Sequence, residues 1–298
     1  MPERSLPLPF ALDLHRSMRP IQIGAHDPTV RLDRDVMLRA SRTPLGTATV
    51  RVEHHGDRLQ VEAWGAGAEW ALDAAPAALG LLDTRAGFDP QHPVVRDLHR
   101  HADGLRLPST GRVIEALVPA VLSQKVTGFE ARRSFRQLVD RWGEPAPGPG
   151  GLHVLPAADV VAELGYYELH VLGVEKKRAD TLKRVCAHAT RLEAAGALTS
   201  QILRDRLEAI PGVGRWTSAE VARLVVGDAD AVSVGDFHLK NVVAFNLAGE
   251  PRATDDRMLE LLEPFAGHRG RVCLLIASGG TSAPKYGPRK RIEPMAGR

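Results

Sequence analysis

The sequence predicts an α+β protein in which a small antiparallel-sheet domain precedes an all-helical region. Apolar and polar residues alternate over residues 48–53 and 59–64, as in strands that bury one face. From about residue 108 onward, apolar residues instead recur with the spacing of amphipathic helices. Two of these helical segments are joined by a short turn with two glycines at residues 210–214. These three observations define the fold class.

We place the first domain at residues 1–95. Short strands are predicted around Val30 and Val36, ahead of the two alternating segments. Residues 55–57, which lie between those segments and include a glycine, predict a hairpin turn. The alanine-rich residues 68–82 predict a helix despite Pro76. Strands with one helix make a small α+β domain, and no residue in it indicates what the domain does.

We place the second region at residues 96–298. The Pro- and Gly-rich residues 144–151 predict a loop, and residues 254–256 predict the N-cap of a late helix. The apolar faces of the predicted helices are formed by Ile114, Leu117, Val118 and Val121; Phe135, Leu138, Val139 and Trp142; Leu182, Val185, Cys186, Ala189 and Leu192; Val221, Leu224 and Val225; and Met258, Leu261, Leu262 and Phe265. Short connections between these segments predict a helical array.

The charge permits binding to nucleic acid. The formal net charge is +3 and the isoelectric point is near 9.0. Phosphate contacts need a local basic patch rather than a large total charge. Basic residues cluster at 132–133, 176–178 and 289–291. Each cluster by itself is also typical of a solvated helix face or tail, so charge alone leaves the partner open.

The two cysteines, Cys186 and Cys273, lie far apart among apolar neighbours. They predict buried thiols rather than a disulfide, and they are too few for a four-cysteine iron–sulfur cluster. No apolar run approaches the length of a membrane span, and the first residues lack the apolar core of a signal peptide. We therefore expect no membrane contact and a cytoplasmic protein.

The turn at residues 210–214 has the sequence Ile-Pro-Gly-Val-Gly. Gly212 and Gly214 permit positive φ and carry no side chain, so the main chain can approach another backbone closely. The helix that follows begins with free N–H groups, which together with the helix dipole favour a phosphate. The pattern predicts a helix-hairpin-helix that binds nucleic-acid backbone without reading bases. The alternative is an ordinary turn between helices with a glycine C-cap.

Asp236 precedes another predicted helix, within residues 232–240. The commonest role of aspartate at such a place is to cap the helix. A helix N-terminus also stabilises a negative charge, which is what an electrostatic catalyst needs. The two roles are compatible, and the local sequence leaves both open.

Residues 210–217, followed by Gly235-Asp236, resemble the helix-hairpin-helix–GPD superfamily of DNA glycosylases. Residues 120–127 and 172–179 match it further, and the resemblance is to the 3-methyladenine DNA glycosylase II, or AlkA, type. It covers most of the chain. It implies that residues 96–298 form two helical subdomains with the DNA and active-site cleft between them.

The resemblance implies a role for each matching residue. Asp236 is the expected catalytic carboxylate. The main-chain carbonyls of Glu208, Ile210 and Val213 are expected to hold a monovalent cation, Na⁺ or K⁺, and no other cofactor is expected. The implied partner is double-stranded DNA with a damaged base, bound by a monomer in the nucleoid. The implied DNA contacts are Pro211, Gly212, Val213, Gly214, Arg215, Thr217, Gln124, Lys125, His238 and Lys240.

The implied reaction begins when the damaged base is flipped out of the duplex. Departure of the base builds positive charge on the sugar, which a carboxylate can stabilise while it orients a water molecule. A base alkylated at N3 or N7 already carries positive charge, so it leaves without a general acid. The resemblance therefore implies base-excision repair of 3-methyladenine-like lesions with one carboxylate.

Trp216, Tyr166 and Glu220 are the expected residues of the base pocket. Relatives that also cleave the strand carry a Schiff-base lysine where this chain has Trp216, so we expect no AP-lyase activity. Trp216 either stacks on the extruded base or packs between helices, and Tyr166 supplies either aromatic surface or structural packing. Glu220 replaces a tyrosine of the relatives. It either attracts a cationic base or lies on a solvated helix face, and we favour the solvated face.

These departures motivate two alternative functions. Ala277 stands where relatives have a stacking tryptophan, and Lys125 where they place the side chain that fills the gap left by the flipped nucleotide. With a thinner aromatic pocket, the chain is alternatively a non-catalytic protein that binds damaged DNA. The other alternative is a glycosylase for a deaminated, oxidised or bulkier base.

Overall fold

The N-terminal domain is built on a five-stranded antiparallel sheet in the computed structural model, which describes residues 2–284. The strands are β1 (Glu3–Pro7), β2 (Val30–Leu32), β3 (Val36–Thr43), β4 (Gly46–His55) and β5 (Arg58–Trp64). Their order in the sheet is β1-β5-β4-β3-β2. The predicted hairpin between β4 and β5 is confirmed, and Gly56 turns it with a φ of 63°.

Two helices pack on this sheet, α1 (Leu14–Met18) and α2 (Ala68–Ala78). Val52, Leu59 and Val61 point from β4 and β5 into the core that these helices bury. The alternation read from the sequence therefore marks the buried face. β1 was not predicted, because a five-residue edge strand offers too few alternations to stand out.

The remaining described residues, up to 284, are mainly helical. The helices are α3 (Pro93–His101), α4 (Val113–Leu122), α5 (Gly128–Trp142), α6 (Ala158–Glu163), α7 (Tyr166–His170), α8 (Lys176–Ala187), α9 (Ala189–Ala195), α10 (Ser200–Glu208), α11 (Arg215–Val225), α12 (Leu239–Ala248), α13 (Asp255–Leu262) and α14 (Arg269–Gly279), with a 3₁₀ turn at Glu263–Phe265. Thr254 caps α13 as predicted, since its hydroxyl accepts a hydrogen bond from the Arg257 N–H at 3.1 Å.

The helical region is not all-helical, which corrects the sequence prediction. Two short strands, β6 (Glu144–Pro145) and β7 (His153–Val154), pair across the segment that was predicted to be a loop. Val154 packs with Ala40 and Leu152 in a small apolar cluster beside the N-terminal sheet. The strands are two residues long, so neither produces a periodic signal in the sequence.

Two apolar cores divide the helical region into two subdomains. One core unites residues of α4 to α11, and the other unites residues of α3, α12, α13 and α14. The chain crosses between them after α11, where Ala231 belongs to the first core and Val232 packs against the second. The predicted division at residue 95 falls inside α3, whose Val95 is buried in the second helical core.

The surroundings of the two cysteines make both thiols unreactive. Cys186 and Cys273 are both buried and free. Burial raises the pKa of each thiol to about 12, so both stay protonated at neutral pH. Between residues 2 and 284, no helix combines the length and apolar character needed to cross a bilayer.

A buried ion pair ties the end of the N-terminal domain to the last helix. Both guanidinium Nη atoms of Arg271 in α14 donate to the Asp83 carboxylate, at 3.0 and 2.6 Å. The two side chains are 2% and 5% exposed, so solvent screens the pair little. Asp83 also accepts a hydrogen bond from the Leu107 N–H at 3.1 Å, so one carboxylate joins three segments.

Replacing Asp83 with asparagine leaves the Arg271 charge buried without a counter-charge. We expect Asp83→Asn to lower the free energy of unfolding by about 3–5 kcal/mol, measured by urea denaturation. The exposed pair of Asp57 and Arg58 provides the control, and Asp57→Asn is expected to change stability by less than about 1 kcal/mol. Equal effects of the two substitutions would contradict a structural role for the buried pair.

Candidate active site

The hairpin joins the end of α10 to the start of α11. Ile210 and Val213 are buried and anchor the turn, which a hydrogen bond from the Val213 N–H to the Ile210 carbonyl closes at 3.0 Å. Gly212 has a φ of 99°, and a Cβ built there would lie 2.1 Å from Oγ1 of Thr181 in α8. The turn therefore requires glycine at 212 both for its backbone conformation and for its close packing on α8.

Two side chains, one in α8 and one just after α4, fix the carbonyls of the hairpin. Arg184 of α8 donates from Nη1 to the Pro211 carbonyl at 2.5 Å. Gln124, just beyond α4, donates from Nε2 to the Gly212 carbonyl and to the Thr217 hydroxyl, each at 2.9 Å. Thr217 is only 2% exposed, so its hydroxyl faces inward and holds Gln124. A DNA contact at this residue, as predicted, would have to come from its main chain.

The outer side of the hairpin is open. Pro211, Gly212, Gly214 and Arg215 are exposed. A Cβ built at Gly214 meets nothing within 4 Å, so none of residues 2–284 would contact a side chain there. No side chain caps the N-terminus of α11, which leaves its first N–H groups facing outward. This surface can take an anionic ligand through main-chain N–H groups.

Lys125 lies in the connection between α4 and α5. It is exposed, and it is the one non-glycine residue among those described that has a positive φ, at 57°. A capping box follows directly, in which Thr127 and Glu130 bond each other across the first turn of α5. Lys125 is therefore exposed on a short connection whose backbone conformation is restricted.

Asp236 lies where the chain crosses from one helical subdomain to the other. Its Oδ1 accepts hydrogen bonds from the N–H groups of His238 and Leu239, at 2.7 and 2.8 Å. The carboxylate therefore caps the start of α12, the first of the two roles that the sequence left open. Both bonds come from main-chain N–H groups, and no hydrogen bond from a described residue engages Oδ2. The residue is half-buried.

The loop that carries Asp236 is held from within and from α13. The Asp236 N–H donates to the Ser233 carbonyl at 3.2 Å. The Gly235 N–H donates to Oδ1 of Asp255, the first residue of α13, also at 3.2 Å. Gly235 itself has a φ of 92°, which favours glycine at this turn. The loop is therefore well supported on both sides.

His238 and Lys240, the DNA contacts predicted beyond Asp236, have different surroundings. His238 is exposed, and its ring meets the ring of Phe237 edge-on at 4.9 Å between centroids. Phe237 is 78% exposed and was not singled out from the sequence. Lys240 is partly buried, and its Nζ lies 3.5 Å from a carboxylate oxygen of Asp255. A DNA contact through Lys240 would compete with this ion pair.

Glu220 does not lie on a solvated helix face, so the favoured interpretation of the sequence is wrong. Its Oε1 accepts a short hydrogen bond from the Ser233 hydroxyl, and its Oε2 accepts one from Nη2 of Arg223 at 2.8 Å. Burial acts to raise the pKa of the Glu220 carboxyl, but the charge of Arg223 and the bond from Ser233 outweigh it. The pKa lies below its usual value, and the carboxylate is ionised at neutral pH.

Trp216 and Tyr166 lie on different helices. Trp216 is partly exposed on α11, one helical turn before Glu220. Tyr166 is 38% exposed on α7, where its hydroxyl lies 3.2 Å from Nδ1 of His170 and its ring 5.7 Å from Nζ of Lys176. Among residues 2–284, no described hydrogen bond or ring contact joins Tyr166 to Trp216 or Glu220.

The carbonyls predicted to hold a cation belong to residues in the hairpin turn and at the end of α10. Glu208 is the last residue of α10, so its carbonyl has no partner within that helix. The carbonyls of Ile210 and Val213 follow within the same turn. Main-chain carbonyl oxygens are suitable ligands for Na⁺ or K⁺. The Ile210 carbonyl oxygen already accepts a hydrogen bond from the Val213 N–H, and its second lone pair would bind the cation. The donor set fits a monovalent cation.

Sequence analysis missed several residues that support the site. Thr181 and Arg184 contact the hairpin from α8, and Ser233 joins Glu220 to the Asp236 loop. Arg178 is buried and donates to the carbonyls of Leu122 and Gly173, at 2.8 and 3.0 Å. Apart from the bond from Arg178 to Gly173, which are five residues apart, these contacts join segments distant in sequence, so no local pattern predicts them.

Comparison with known proteins finds relatives in sequence and in fold. Over 171 residues, the chain is 32% identical to a probable bifunctional transcriptional activator/DNA repair enzyme AlkA of Mycobacterium tuberculosis. The match covers 57% of this chain and 33% of that protein, so the chain spans about a third of the length of the curated relatives it matches. No protein-family model matches the chain.

Solved structures match nearly the whole chain. A 3-methyladenine DNA-glycosylase from Archaeoglobus fulgidus superposes with a TM-score of 0.76 over 92% of this chain and 97% of its own, at 17% identity. The chain has a DNA glycosylase fold. An 8-oxoguanine glycosylase/lyase from Clostridium acetobutylicum, in complex with double-stranded DNA, superposes with a TM-score of 0.62 over 83% of this chain and 96% of its own, at 14% identity.

The sequence match confirms the predicted resemblance to the AlkA type of DNA glycosylase. The structural neighbours confirm the fold class, with an antiparallel N-terminal sheet ahead of the helical glycosylase fold. Their identities are low, and they include both a glycosylase and a glycosylase/lyase. The fold alone therefore does not distinguish between the two reactions.

The two glycines of the hairpin should respond differently to substitution by alanine. Gly212→Ala places a methyl group against Thr181 in a left-handed backbone, which costs about 1–3 kcal/mol for the backbone alone. Gly214 has a φ of −113° and open space around it, so Gly214→Ala should fold with nearly unchanged stability. Thermal denaturation measures both, and an equal loss in the two variants would contradict the packing described here.

Proposed function

We propose that the chain is a monofunctional DNA glycosylase that flips an alkylated base out of duplex DNA and hydrolyses its N-glycosidic bond. One observation carries this proposal. The Asp236 carboxylate, with one oxygen held by main-chain bonds, lies at the crossing between two helical subdomains and close in sequence to an open helix-hairpin-helix. The similarity to a probable DNA repair enzyme AlkA supports it.

The hairpin would bind the DNA backbone next to the lesion. Its exposed glycines allow close approach, and the outward N–H groups of α11 favour a phosphate. The carbonyls of Glu208, Ile210 and Val213 would hold a Na⁺ or K⁺ ion, which would supply positive charge for the same phosphate. Lys125, which projects from a constrained connection, would enter the space left by the flipped nucleotide.

Asp236 would act on the sugar of the flipped nucleotide. As the base departs, positive charge develops on the sugar, and the free oxygen of the carboxylate would stabilise it and orient water. Two main-chain N–H groups and the N-terminus of α12 stabilise the negative charge that this role needs. In this scheme the protein forms no covalent intermediate with the DNA.

The surroundings of Asp236 favour a substrate base that is already cationic. Glu220 is committed to Ser233 and Arg223, and its low pKa makes it a poor proton donor. A neutral base needs protonation to leave, whereas a base alkylated at N3 or N7 does not. Trp216 has no amine and cannot form a Schiff base with the sugar, which supports hydrolysis without strand cleavage.

Substituting Asp236 should separate the chemical role from the cap. Asp236→Asn keeps an oxygen that accepts the His238 and Leu239 N–H groups, so we expect unchanged thermal stability and unchanged binding to lesion-containing DNA. Base release under single-turnover conditions should fall by roughly a hundredfold or more, because the negative charge is lost. Asp236→Ala should also lose about 1 kcal/mol of stability with the cap.

Release by Asp236→Asn at the rate of the unchanged chain would remove Asp236 from the reaction. Loss of DNA binding in step with loss of release would indicate a binding role instead. Gly214→Ala, which should fold normally, provides the matched variant. It should weaken DNA binding by obstructing the backbone approach at the hairpin, while saturating DNA restores its rate of base release.

A panel of duplexes with single lesions tests the reaction type and the base. We expect release of 3-methyladenine or 7-methylguanine from methylated DNA, and strand breaks only after heat or alkali converts the abasic product. Breaks without that treatment would show lyase activity and contradict the argument from Trp216. Preferential release of an oxidised or deaminated base would reassign the lesion, and binding without release from any duplex would favour a damage-binding protein.

A further inference from the structure

We propose that Glu220 is a positioning residue that fixes the loop of Asp236 to the second helix of the hairpin. This proposal rests on the proposed function, because it assigns Glu220 a task in the reaction of Asp236. The link is a hydrogen bond from the Ser233 hydroxyl to Oε1 of Glu220. Ser233 is buried in the loop, and its own carbonyl accepts the Asp236 N–H at 3.2 Å.

The link is rigid because both oxygens of Glu220 are engaged. Oε2 accepts from Nη2 of Arg223 at 2.8 Å, and the two side chains are 29% and 16% exposed. An ion pair this sheltered loses less to solvent than an exposed one. Arg223 lies on α11 with Glu220, so the pair holds the carboxylate against its own helix. The hydrogen bond from Ser233 then holds the loop in place relative to that carboxylate.

Because Glu220 lies on α11, its bond to Ser233 connects the Asp236 loop to the helix that follows the hairpin. α11 begins at Arg215, directly after the hairpin, and Glu220 follows about 7.5 Å further along the helix axis. The helix that presents its N-terminus to the DNA backbone therefore also carries the residue that holds the Asp236 loop. The distance between the bound phosphate and the carboxylate is set through α11, Glu220 and Ser233.

The low pKa of Glu220 is consistent with this task. A carboxylate that stays ionised keeps both acceptor oxygens for Arg223 and Ser233. Asp255 supports the same loop from α13 by accepting the Gly235 N–H at 3.2 Å. The loop is thus held from both helical subdomains, and the Glu220 bond is its side-chain tie to the subdomain of the hairpin.

Two variants break the link, and a third keeps part of it. We expect Glu220→Ala and Ser233→Ala each to slow single-turnover base release by about 10- to 100-fold, the loss typical of a misplaced catalytic group. The dissociation constant for lesion-containing DNA should change less than twofold. The double variant should be no slower than the slower single variant, because both remove one interaction. Glu220→Gln keeps an acceptor for Ser233 and should recover most of the rate.

Glu115 offers a matched control. Its carboxylate also accepts from an arginine, Arg39 at 2.8 Å, and from a serine hydroxyl, Ser41 at 2.9 Å, but it joins α4 to the N-terminal sheet. Glu115→Ala should lower thermal stability and leave the single-turnover rate of the folded protein unchanged. An equal loss of rate in Glu115→Ala and Glu220→Ala would reduce Glu220 to a stabilising residue and overturn the proposal.

Hydrogen exchange tests the link without any reaction. Amides of residues 235–239 should exchange at least about tenfold faster in Glu220→Ala and Ser233→Ala than in the unchanged chain, and no faster in Glu115→Ala. Unchanged exchange in the first two variants would refute the link. If the unchanged chain releases no base while these amides respond as expected, the positioning holds and the proposed reaction fails.

Discussion

The packing of the hairpin on α8 is the contact on which the candidate site depends. Gly212 lies so close to Thr181 that no side chain fits between them, and this approach brings the hairpin carbonyls within reach of Arg184 and Gln124. The turn so held sets the direction in which α11 leaves it. Since α11 carries Trp216 and leads to the loop of Asp236, one close helix–turn contact orients the elements of the site.

The elements around this contact show how structural and chemical roles combine in one residue. The side chain of Thr217, a predicted DNA contact, lies buried beneath the hairpin, where its hydroxyl accepts the bond that fixes Gln124. Glu220 was expected at the solvent, and it instead joins two segments of the subdomain crossing. In both cases a polar side chain near the site satisfies a buried partner, as buried polar groups must. At the hairpin, the surface left for a ligand includes the main chain of Gly212 and Gly214.

Signals local to the chain were predictable, and contacts between distant segments were not. The alternation in β4 and β5 and the apolar stripes of α4, α5 and α8 depend on neighbouring residues, so the sequence contains them in full. β1 and the β6–β7 pair depend on partners elsewhere. The hairpin and Asp236 form a recognisable local pattern. Glu220 and Arg223 are spaced as on a solvated helix face, whereas Ser233, 13 residues beyond Glu220, has no periodic relation to them.

The cap formed by Asp236 also fixes the orientation of its carboxylate. Its Oδ1 is bound to two main-chain N–H groups, so the carboxyl plane cannot rotate without breaking both bonds. The carboxylate is therefore oriented before any ligand arrives, and in the proposed reaction the positive charge that develops on the sugar would meet an oriented oxygen without reorganisation of the protein. Formation of the first turn of α12 and orientation of the Asp236 carboxylate are thus a single event.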